Sequence, residues 1–370
     1  MSKKPLKIED IDPNFKPQDE IREPDVVFYD VMDEPFEKYG FYNCCKEEGY
    51  KRLPDDIAKN VNSGVAHLYL HTAGGRVRFS TDSKYVAIRV SFPSIDRHSV
   101  LSLSGSAGFD LFIDDPETGN SRFCKAGFFP QSVDQTGFTG KVTFTTRQKR
   151  YFTLYFPCYN SVESVVIGLQ EDAMLEGGMK YRNEQPVVFY GSSITQGGCA
   201  SRSGNTYINL VSRKLNTDIL NLGFSGNGKC EDLIVDYMAT LSMSAFVSDY
   251  DHNAPNAEHL RKTHLKMYQK IRAAHPDIPY LIMSKPDFNF NITGKGENHL
   301  RRDVIYDTYR YAIEHGDRNV YFLDGESFFS GPYEDMCTVD GCHPNDLGMA
   351  FMADSVIETL KRISLLKNFY

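Results

Sequence analysis

Tryptophan is missing from this sequence of 370 residues, and so is any long apolar run. No stretch approaches the roughly 18 consecutive apolar residues that a membrane-spanning helix requires, so a membrane partner is not expected. The eight cysteines form no C-x-x-C pair. Because structural zinc sites usually draw on such closely spaced ligands, we expect free thiols and no metal.

Positive charge is also scarce, with 41 lysines and arginines against 49 acidic residues and a net charge of −8. Nucleic acids and anionic membranes bind proteins through basic surfaces, so neither is an expected partner. The first residues include lysines but no apolar stretch behind them. This pattern predicts no secretory signal and a cytoplasmic protein with reduced cysteines.

The length favours two domains, because single cores rarely grow to this size. Residues 26–180 are predicted to form an all-β domain after an N-terminal extension, residues 1–25. Strings such as "GKVTFTTRQKRYFTLYFP" and "VAHLYLHTAGGRVRFSTDSKYVAIRVSF" alternate apolar and polar residues between turn signals. Short alternating strands of this kind predict an antiparallel, jelly-roll-like β-sandwich. On this reading His67 and His71 lie on one side of a strand, where sheet packing is favoured and ligand contact stays open.

Residues 181–370 follow a different pattern. Five apolar strings alternate with segments of helical spacing, and these strings are "VVFY", "DILNLGF", "SAFVSD", "PYLIMS" and "NVYFLDG". Alternating strands and helices predict an α/β domain with a five-stranded parallel sheet covered by helices on both faces. Ligands of such sheets bind at the carboxyl ends of the strands, so the residues that follow each string are the candidate site.

Ser193 follows the first strand in "VVFYGSSITQGG", at a turn that glycines on either side would allow. A serine hydroxyl becomes a good nucleophile when a base takes its proton. His343 in "DGCH" is the candidate base, with Asp340 three residues earlier to orient its ring. Asp249 and His252 have the same spacing and form a rival pair.

Acyl transfer also needs hydrogen-bond donors for the developing oxyanion. The backbone N–H groups of Ser193 and Gly226 and the side-chain amide of Asn253 are the candidates. His252, Asp251 and Ser192 are candidate substrate contacts. For Asp251, stabilisation of its own loop is the alternative.

Four blocks, "YGSSITQGG", "GFSGNG", "DYDHNAP" and "DGCHPND", resemble those of the SGNH (GDSL-type) hydrolases, in the family's order. The resemblance implies a flavodoxin-like fold, the catalytic triad Ser193, His343 and Asp340, and oxyanion donors from Gly226 and Asn253. Two positions depart from the family pattern. Ser192 stands where Asp usually precedes the serine, and Asn253 lacks the glycine that usually comes before it.

"SAGFDLFID", residues 106–114, is similar to the GxDLY-type sandwich of a subgroup of these hydrolases. Several such two-domain relatives are carbohydrate O-acetylesterases, which implies an acetylated hemicellulose-type oligosaccharide as substrate, mannan included, and no cofactor. Two alternatives remain: a short-chain acyl or thioester hydrolase without sugar specificity, and a carbohydrate-binding protein with an inactive hydrolase domain. A homo-oligomer is left open. We expect loops of the sandwich to border the active site.

Overall fold

The computed structural model describes residues 8–12, 21–124, 127–183, 185–286 and 297–367. Within the predicted extension, residues 1–25, the described ranges include 8–12, with the short helix α1 (Ile8–Ile11), and 21–25; the rest of the extension lies outside them. Among the helices in these ranges, none has the length and apolar character needed to cross a bilayer.

The first half contains two antiparallel sheets, as predicted. The strands are β1 (Val26–Asp30), β2 (Glu37–Tyr39), β3 (Arg76–Thr81), β4 (Tyr85–Ser91), β5 (Asp110–Asp114), β6 (Ser121–Phe123), β7 (Gly137–Thr143), β8 (Arg150–Tyr155), β9 (Ser164–Gln170) and β10 (Leu175–Gly177). The first sheet has the order β1-β9-β4-β7, and the second has β10-β3-β8-β5-β6 with β2 also paired to β3. One apolar core joins both sheets, with Ile88 from the first and Phe152 from the second. The half is therefore a two-layer sandwich.

The prediction of strands from residue 65 onward is wrong for residues 65–68. Among the described residues from 26 to 180, three helices interrupt the strands: α2 (Asp55–Val61), α3 (Val65–Leu68) and α4 (Leu103–Ser106). Val65, Leu68 and Tyr69 are spaced by three and four residues, and all three pack into a core that the second half supplies. Alternating letters and helical spacing coincide over so short a segment, and burial against the neighbouring domain selects the helix.

The second half is the predicted parallel sheet with helices on both faces. Its strands are β11 (Val187–Gly191), β12 (Ile219–Gly223), β13 (Ala245–Asp249), β14 (Tyr280–Met283) and β15 (Val320–Leu323). Its helices are α5 (Ser193–Gln196), α6 (Tyr207–Leu215), α7 (Asp232–Thr240), α8 (Ala257–Ala274), α9 (Asn298–Glu314) and α10 (Asp346–Lys367). The strand order is β12-β11-β13-β14-β15, which is the flavodoxin-like order.

Strand β11 is apolar throughout, without alternation of apolar and polar residues, because both of its faces are buried. Val188 and Tyr190 pack into the core beneath α7, α8 and α9, whereas Val187 and Phe189 pack into the core beneath α6 and α10. Successive side chains of a strand point to opposite faces, and both faces are covered here. Strand β11 is therefore buried along its whole length, and Ser193 follows it by two residues.

Candidate active site

Ser193 is the first residue of α5, directly beyond the end of β11. Gly191 ends the strand, and a Cβ there would lie 2.5 Å from the carbonyl oxygen of Asp249 and closer still to the Thr195 hydroxyl. Only glycine fits this approach between neighbouring strands. Ser193 is 7% exposed, and its backbone N–H has no acceptor among the described residues. The turn thus presents a hydroxyl and a free N–H at the same point.

The structure brings Ser193, His343 and Asp340 into one hydrogen-bonded chain. The Ser193 hydroxyl lies 2.9 Å from Nε2 of His343, and Nδ1 of His343 lies 2.8 Å from Oδ2 of Asp340. With the ring proton on Nδ1, the imidazole donates to Asp340, and its Nε2 can accept the Ser193 proton. This is the arrangement of a serine nucleophile, a base and an orienting carboxylate.

Backbone groups hold Asp340 in place. Its Oδ1 accepts N–H bonds from Cys342 at 3.1 Å and from His343 at 2.7 Å. Burial alone would raise the pKa of Asp340, but the hydrogen bonds from His343 and Cys342 lower it below its ordinary value. The carboxylate is therefore ionised at neutral pH and available to the His343 ring.

The oxyanion donors predicted from the sequence lie on two further loops. Gly226 has a φ of +68°, a Cβ there would meet open space, and its N–H has no acceptor in the described part of the chain. Asn253 lies in the 3-10 turn after β13, and its Oδ1 accepts the N–H of Gly228 at 3.1 Å. That bond commits the oxygen and leaves the amide N–H₂ as the group that can donate to a substrate.

The rival pair does not form. Asp249 is fully buried, and its Oδ2 accepts hydroxyl hydrogen bonds from Thr195 and Tyr207, both at 2.9 Å. Burial raises the pKa of Asp249 to about 7. His252 instead faces the loop that carries His343, with Nδ1 3.6 Å from the thiol of Cys342. Burial, with Lys285 and His343 nearby, lowers the pKa of His252 far below its ordinary value, so this imidazole is neutral.

The side chains of two candidate substrate contacts, Ser192 and Asp251, are buried and bonded within the protein. Ser192 is fully buried, and its Oγ accepts the Ile194 N–H at 3.1 Å as the N-cap of α5. Asp251 is 1% exposed, with Oδ1 paired to Arg301 at 2.8 Å and Oδ2 accepting the Lys285 N–H at 3.0 Å. Ser192 thus caps the helix that begins with Ser193, and Asp251 holds the turn that carries Asn253 through an ion pair and a backbone hydrogen bond.

Sequence reasoning missed two residues beside the nucleophile. Tyr159, from the loop between β8 and β9, donates its hydroxyl to the Ser193 carbonyl at 3.0 Å. Gln196, at the end of α5, accepts the Ser225 N–H at 2.9 Å and donates to the Cys158 carbonyl at 3.0 Å. A loop of the sandwich therefore borders the active site, as expected. No local pattern singles out Tyr159, whereas Gln196 stands inside the first block.

His67, His71 and Asp96 form a side-chain cluster next to Tyr159, with one ligand atom from each inside a span of 4.8 Å. The two contacts of Gln196 fix its amide so that its N–H₂ lies 3.3 Å from Nδ1 of His71. Burial lowers the pKa of His71 to about 3, so the neutral ring carries its proton on Nε2. A metal needs a bare lone pair, and this Nε2 offers a proton instead, so the cluster suits hydrogen bonding to hydroxyl groups.

The fold and the geometry of the site together indicate an esterase or acylhydrolase, and comparisons with known proteins agree. Residues 184–361 match the model of the GDSL-like lipase/acylhydrolase family, and residues 26–175 match the GxDLY model of the N-terminus of SGNH-type esterases. The chain therefore has a GDSL-like lipase/acylhydrolase domain preceded by a GxDLY domain, and it is an esterase or acylhydrolase of the SGNH type. None of the curated proteins matches it by sequence.

Solved structures show the same two-domain fold. A protein from Bacteroides ovatus described as a GDSL-like lipase is 26% identical, with a TM-score of 0.80 over 91% of this chain and 98% of its own. The salicylyl-acyltransferase SsfX3 of a tetracycline biosynthetic pathway is 18% identical, with a TM-score of 0.73 over 93% of this chain and 99% of its own. A family two carbohydrate esterase from Clostridium thermocellum, in complex with cellohexaose, is 16% identical, with a TM-score of 0.54 over 78% of this chain and 92% of its own.

Proposed function

We propose that the chain is a serine esterase that removes O-acetyl groups from acetylated hemicellulose-type oligosaccharides, mannan-type chains included, through an acyl-enzyme. The observation that carries this proposal is the hydrogen-bonded chain from Ser193 through His343 to Asp340 at the carboxyl ends of the sheet. The donors of Gly226 and Asn253 follow the two strands that flank β11.

In the first step the Ser193 oxygen attacks the ester carbonyl while Nε2 of His343 accepts its proton. The N–H groups of Ser193 and Gly226 and the amide of Asn253 bind the oxyanion, and each such donor is typically worth about 3 kcal/mol in the transition state. His343 then returns the proton to the leaving alcohol, which departs and leaves acetyl-Ser193. In the second step His343 deprotonates water as its oxygen attacks the acetyl carbonyl. His343 then returns this proton to the Ser193 oxygen as the acyl–oxygen bond breaks, and acetic acid leaves and ionises to acetate.

The cluster of His67, His71 and Asp96, which the first half places next to Tyr159, supports an oligosaccharide as the alcohol part of the ester. The neutral His71 ring can donate to a hydroxyl, and the Asp96 carboxylate can accept from one. The cellohexaose complex of the Clostridium thermocellum esterase shows that one protein of this fold binds a sugar chain. The mannan preference rests on the sequence resemblance, and the cytoplasmic location stays a prediction.

A second candidate is the hydrolysis or transfer of short acyl or thioester groups without sugar specificity. The structural likeness to the salicylyl-acyltransferase extends over 93% of the chain. A groove of about 470 Å³, lined in part by Val339 next to Asp340 in the chain, also has an apolar rim, with Val100, Met336 and Val339 38%, 56% and 49% exposed. An apolar acyl or alcohol group would fit such a surface.

The experiment compares wild type with Ser193→Ala and Ser192→Ala on 4-nitrophenyl acetate and on a panel of acetylated oligosaccharides read by mass. We expect Ser193→Ala to lose at least about 10³-fold in kcat while keeping its Tm, since the nucleophile is gone and the cap remains. Ser192→Ala should lose Tm and retain the chemistry. Acetyl loss from oligosaccharides supports the proposal, and turnover of small esters alone supports the second candidate. Near-normal turnover by Ser193→Ala would refute both.

A further inference from the structure

A buried arginine of the first half binds the strand that leads into the oxyanion loop. Arg52 lies between β2 and α2 and is fully buried. Its Nε donates to the His71 carbonyl at 2.8 Å, and Nη2 donates to the Leu68 carbonyl at 2.7 Å. Its Nη1 crosses to the second half and donates to the carbonyls of Asn221 at 2.9 Å and Gly223 at 2.7 Å. Within the described ranges, no carboxylate comes within ion-pair distance of this guanidinium.

These contacts end where the oxyanion loop begins. Gly223 is the last residue of β12, and the ring of Phe224 lies against the Arg52 guanidinium, 4.7 Å from ring centre to Cζ. The Phe224 carbonyl accepts the N–H groups of Asn227 and Gly228, which closes the turn around Gly226.

Two of the three oxyanion donors, Gly226 and Asn253, depend on this turn. Gly226 lies within it, and Gly228 N–H holds the oxygen of the Asn253 amide. A displacement at the end of β12 would therefore move both donors together. Donors that stabilise a transition state must be held within a fraction of an ångström, because misplacement by about 1 Å can cost 10²-fold in rate.

We propose that Arg52 is a positioning residue that fixes the oxyanion loop from the neighbouring domain, an inference that rests on the proposed function. Burial of a cation is costly unless all its donors are satisfied, and carbonyl oxygens satisfy four of them here. Burial lowers the pKa of Arg52 to about 9, which is still above neutral pH, so the group keeps all its donors. The planar guanidinium reaches both β12 carbonyls and both first-half carbonyls at once, which a lysine ammonium with three donors does not.

The chain offers a matched control at the other end of the same strand. Arg76 is also fully buried and also crosses from the sandwich to β12, where it binds the Asp218 carboxylate and, at 3.2 Å, the Ile219 carbonyl. These contacts lie at the start of β12, away from the site. Loss of Arg76 should therefore weaken the same domain contact without moving Gly226.

The experiment measures Tm, kcat, KM and the inhibition constant of methylboronic acid for wild type, Arg52→Lys and Arg76→Lys. A boronic acid forms a tetrahedral adduct with the serine and occupies the oxyanion site, so it reports on transition-state binding. We expect Arg52→Lys to lose about 10²-fold in kcat/KM, mostly in kcat, and to bind the boronic acid more weakly by a similar factor. Arg76→Lys should lose Tm while its turnover and boronic acid binding stay near wild type.

Phe224→Leu is the second variant, since it keeps an apolar side chain and removes the ring against Arg52. It should shift kcat/KM and boronic acid binding in the same direction by a smaller factor. The proposal would be overturned if Arg52→Lys and Arg76→Lys lost the same amount of Tm and had the same kcat as each other. It would also be overturned by boronic acid binding that is unchanged in both Arg52→Lys and Phe224→Leu. Activity in Ser193→Ala would instead overturn the proposed function.

Discussion

The substitution Asp340→Asn tests whether Asp340 sets the tautomer of His343, and it does so more sharply than removal of any triad residue. Oδ1 of Asp340 accepts two backbone N–H groups, at 2.7 and 3.1 Å, and Oδ2 faces Nδ1 of His343 at 2.8 Å. An asparagine in this position must turn its oxygen toward the two N–H donors, because its amide nitrogen cannot accept them. The amide N–H₂ is then forced onto Nδ1 of His343.

That orientation moves the proton of the neutral His343 ring from Nδ1 to Nε2. Nδ1 must accept from the asparagine, so the neutral ring carries its proton on Nε2, the atom that lies 2.9 Å from the Ser193 hydroxyl. A protonated Nε2 cannot take the Ser193 proton. We therefore expect kcat to fall by about 10³- to 10⁴-fold, or ~4–5.5 kcal/mol, as expected when a base is held in the wrong tautomer. The isosteric change leaves the loop packing intact, so Tm should change little.

The assay is steady-state hydrolysis of 4-nitrophenyl acetate, with Tm measured on the same samples. Asp346→Asn is the matched control, because Asp346 begins α10 six residues later and its Oδ1 accepts the Ser201 N–H at 2.8 Å without touching His343. That variant should keep its turnover. If Asp340→Asn kept its kcat to within about tenfold, His343 would not need this carboxylate to set its tautomer, and the proposed triad would lack its third member.

Two further predictions concern the rival pair. His343→Ala should lower kcat by at least about 10²-fold by removing the base, whereas His252→Ala should raise KM more than it lowers kcat, and the reverse order in steady-state kinetics would show that the base is misassigned. In wild type the Asp249 carboxyl has a pKa near its ordinary value of 3.8 in the unfolded chain and a pKa of about 7 in the folded one. The contribution of this group to the free energy of unfolding therefore decreases as the pH rises from 3.8 to about 7. The Tm of Asp249→Asn relative to wild type should therefore rise from pH 4 to pH 7 and then level off, and a difference independent of pH would contradict the raised pKa.

The parts of the site that the sequence predicts are those encoded next to a strand end. Ser193 follows an apolar strand by two residues, and His343 and Asp340 share one loop, so local pattern and the geometry of parallel sheets suffice to bring them together. The surroundings of Ser192 and Asp251 are harder to predict. Both are short polar residues next to predicted site residues, and their burial depends on an N-cap and on a partner, Arg301, that lies 50 positions away.

Long-range packing explains the rest. The helices α2 and α3 form where they do because Ala58 of α2 and Val65 and Leu68 of α3 pack into the core of the second half. Tyr159 reaches the Ser193 carbonyl from a position 34 residues earlier, and Arg52 reaches Gly223 from 171 residues earlier. No pattern within a segment can indicate such partners, because tertiary contacts determine them.

These long-range contacts change how the two halves relate to catalysis. The nucleophile helix contacts the sandwich directly, since Gln196 donates to the Cys158 carbonyl while it accepts from Ser225 in the oxyanion loop. The hydroxyl of Tyr159 binds the carbonyl of the nucleophile itself. A purely accessory binding domain would contact only the far rim of the cleft, and it would leave these backbone groups to the catalytic half. Here the first half supplies hydrogen bonds to the nucleophile turn and to the strand that precedes the oxyanion loop, so the catalytic geometry belongs to both halves together.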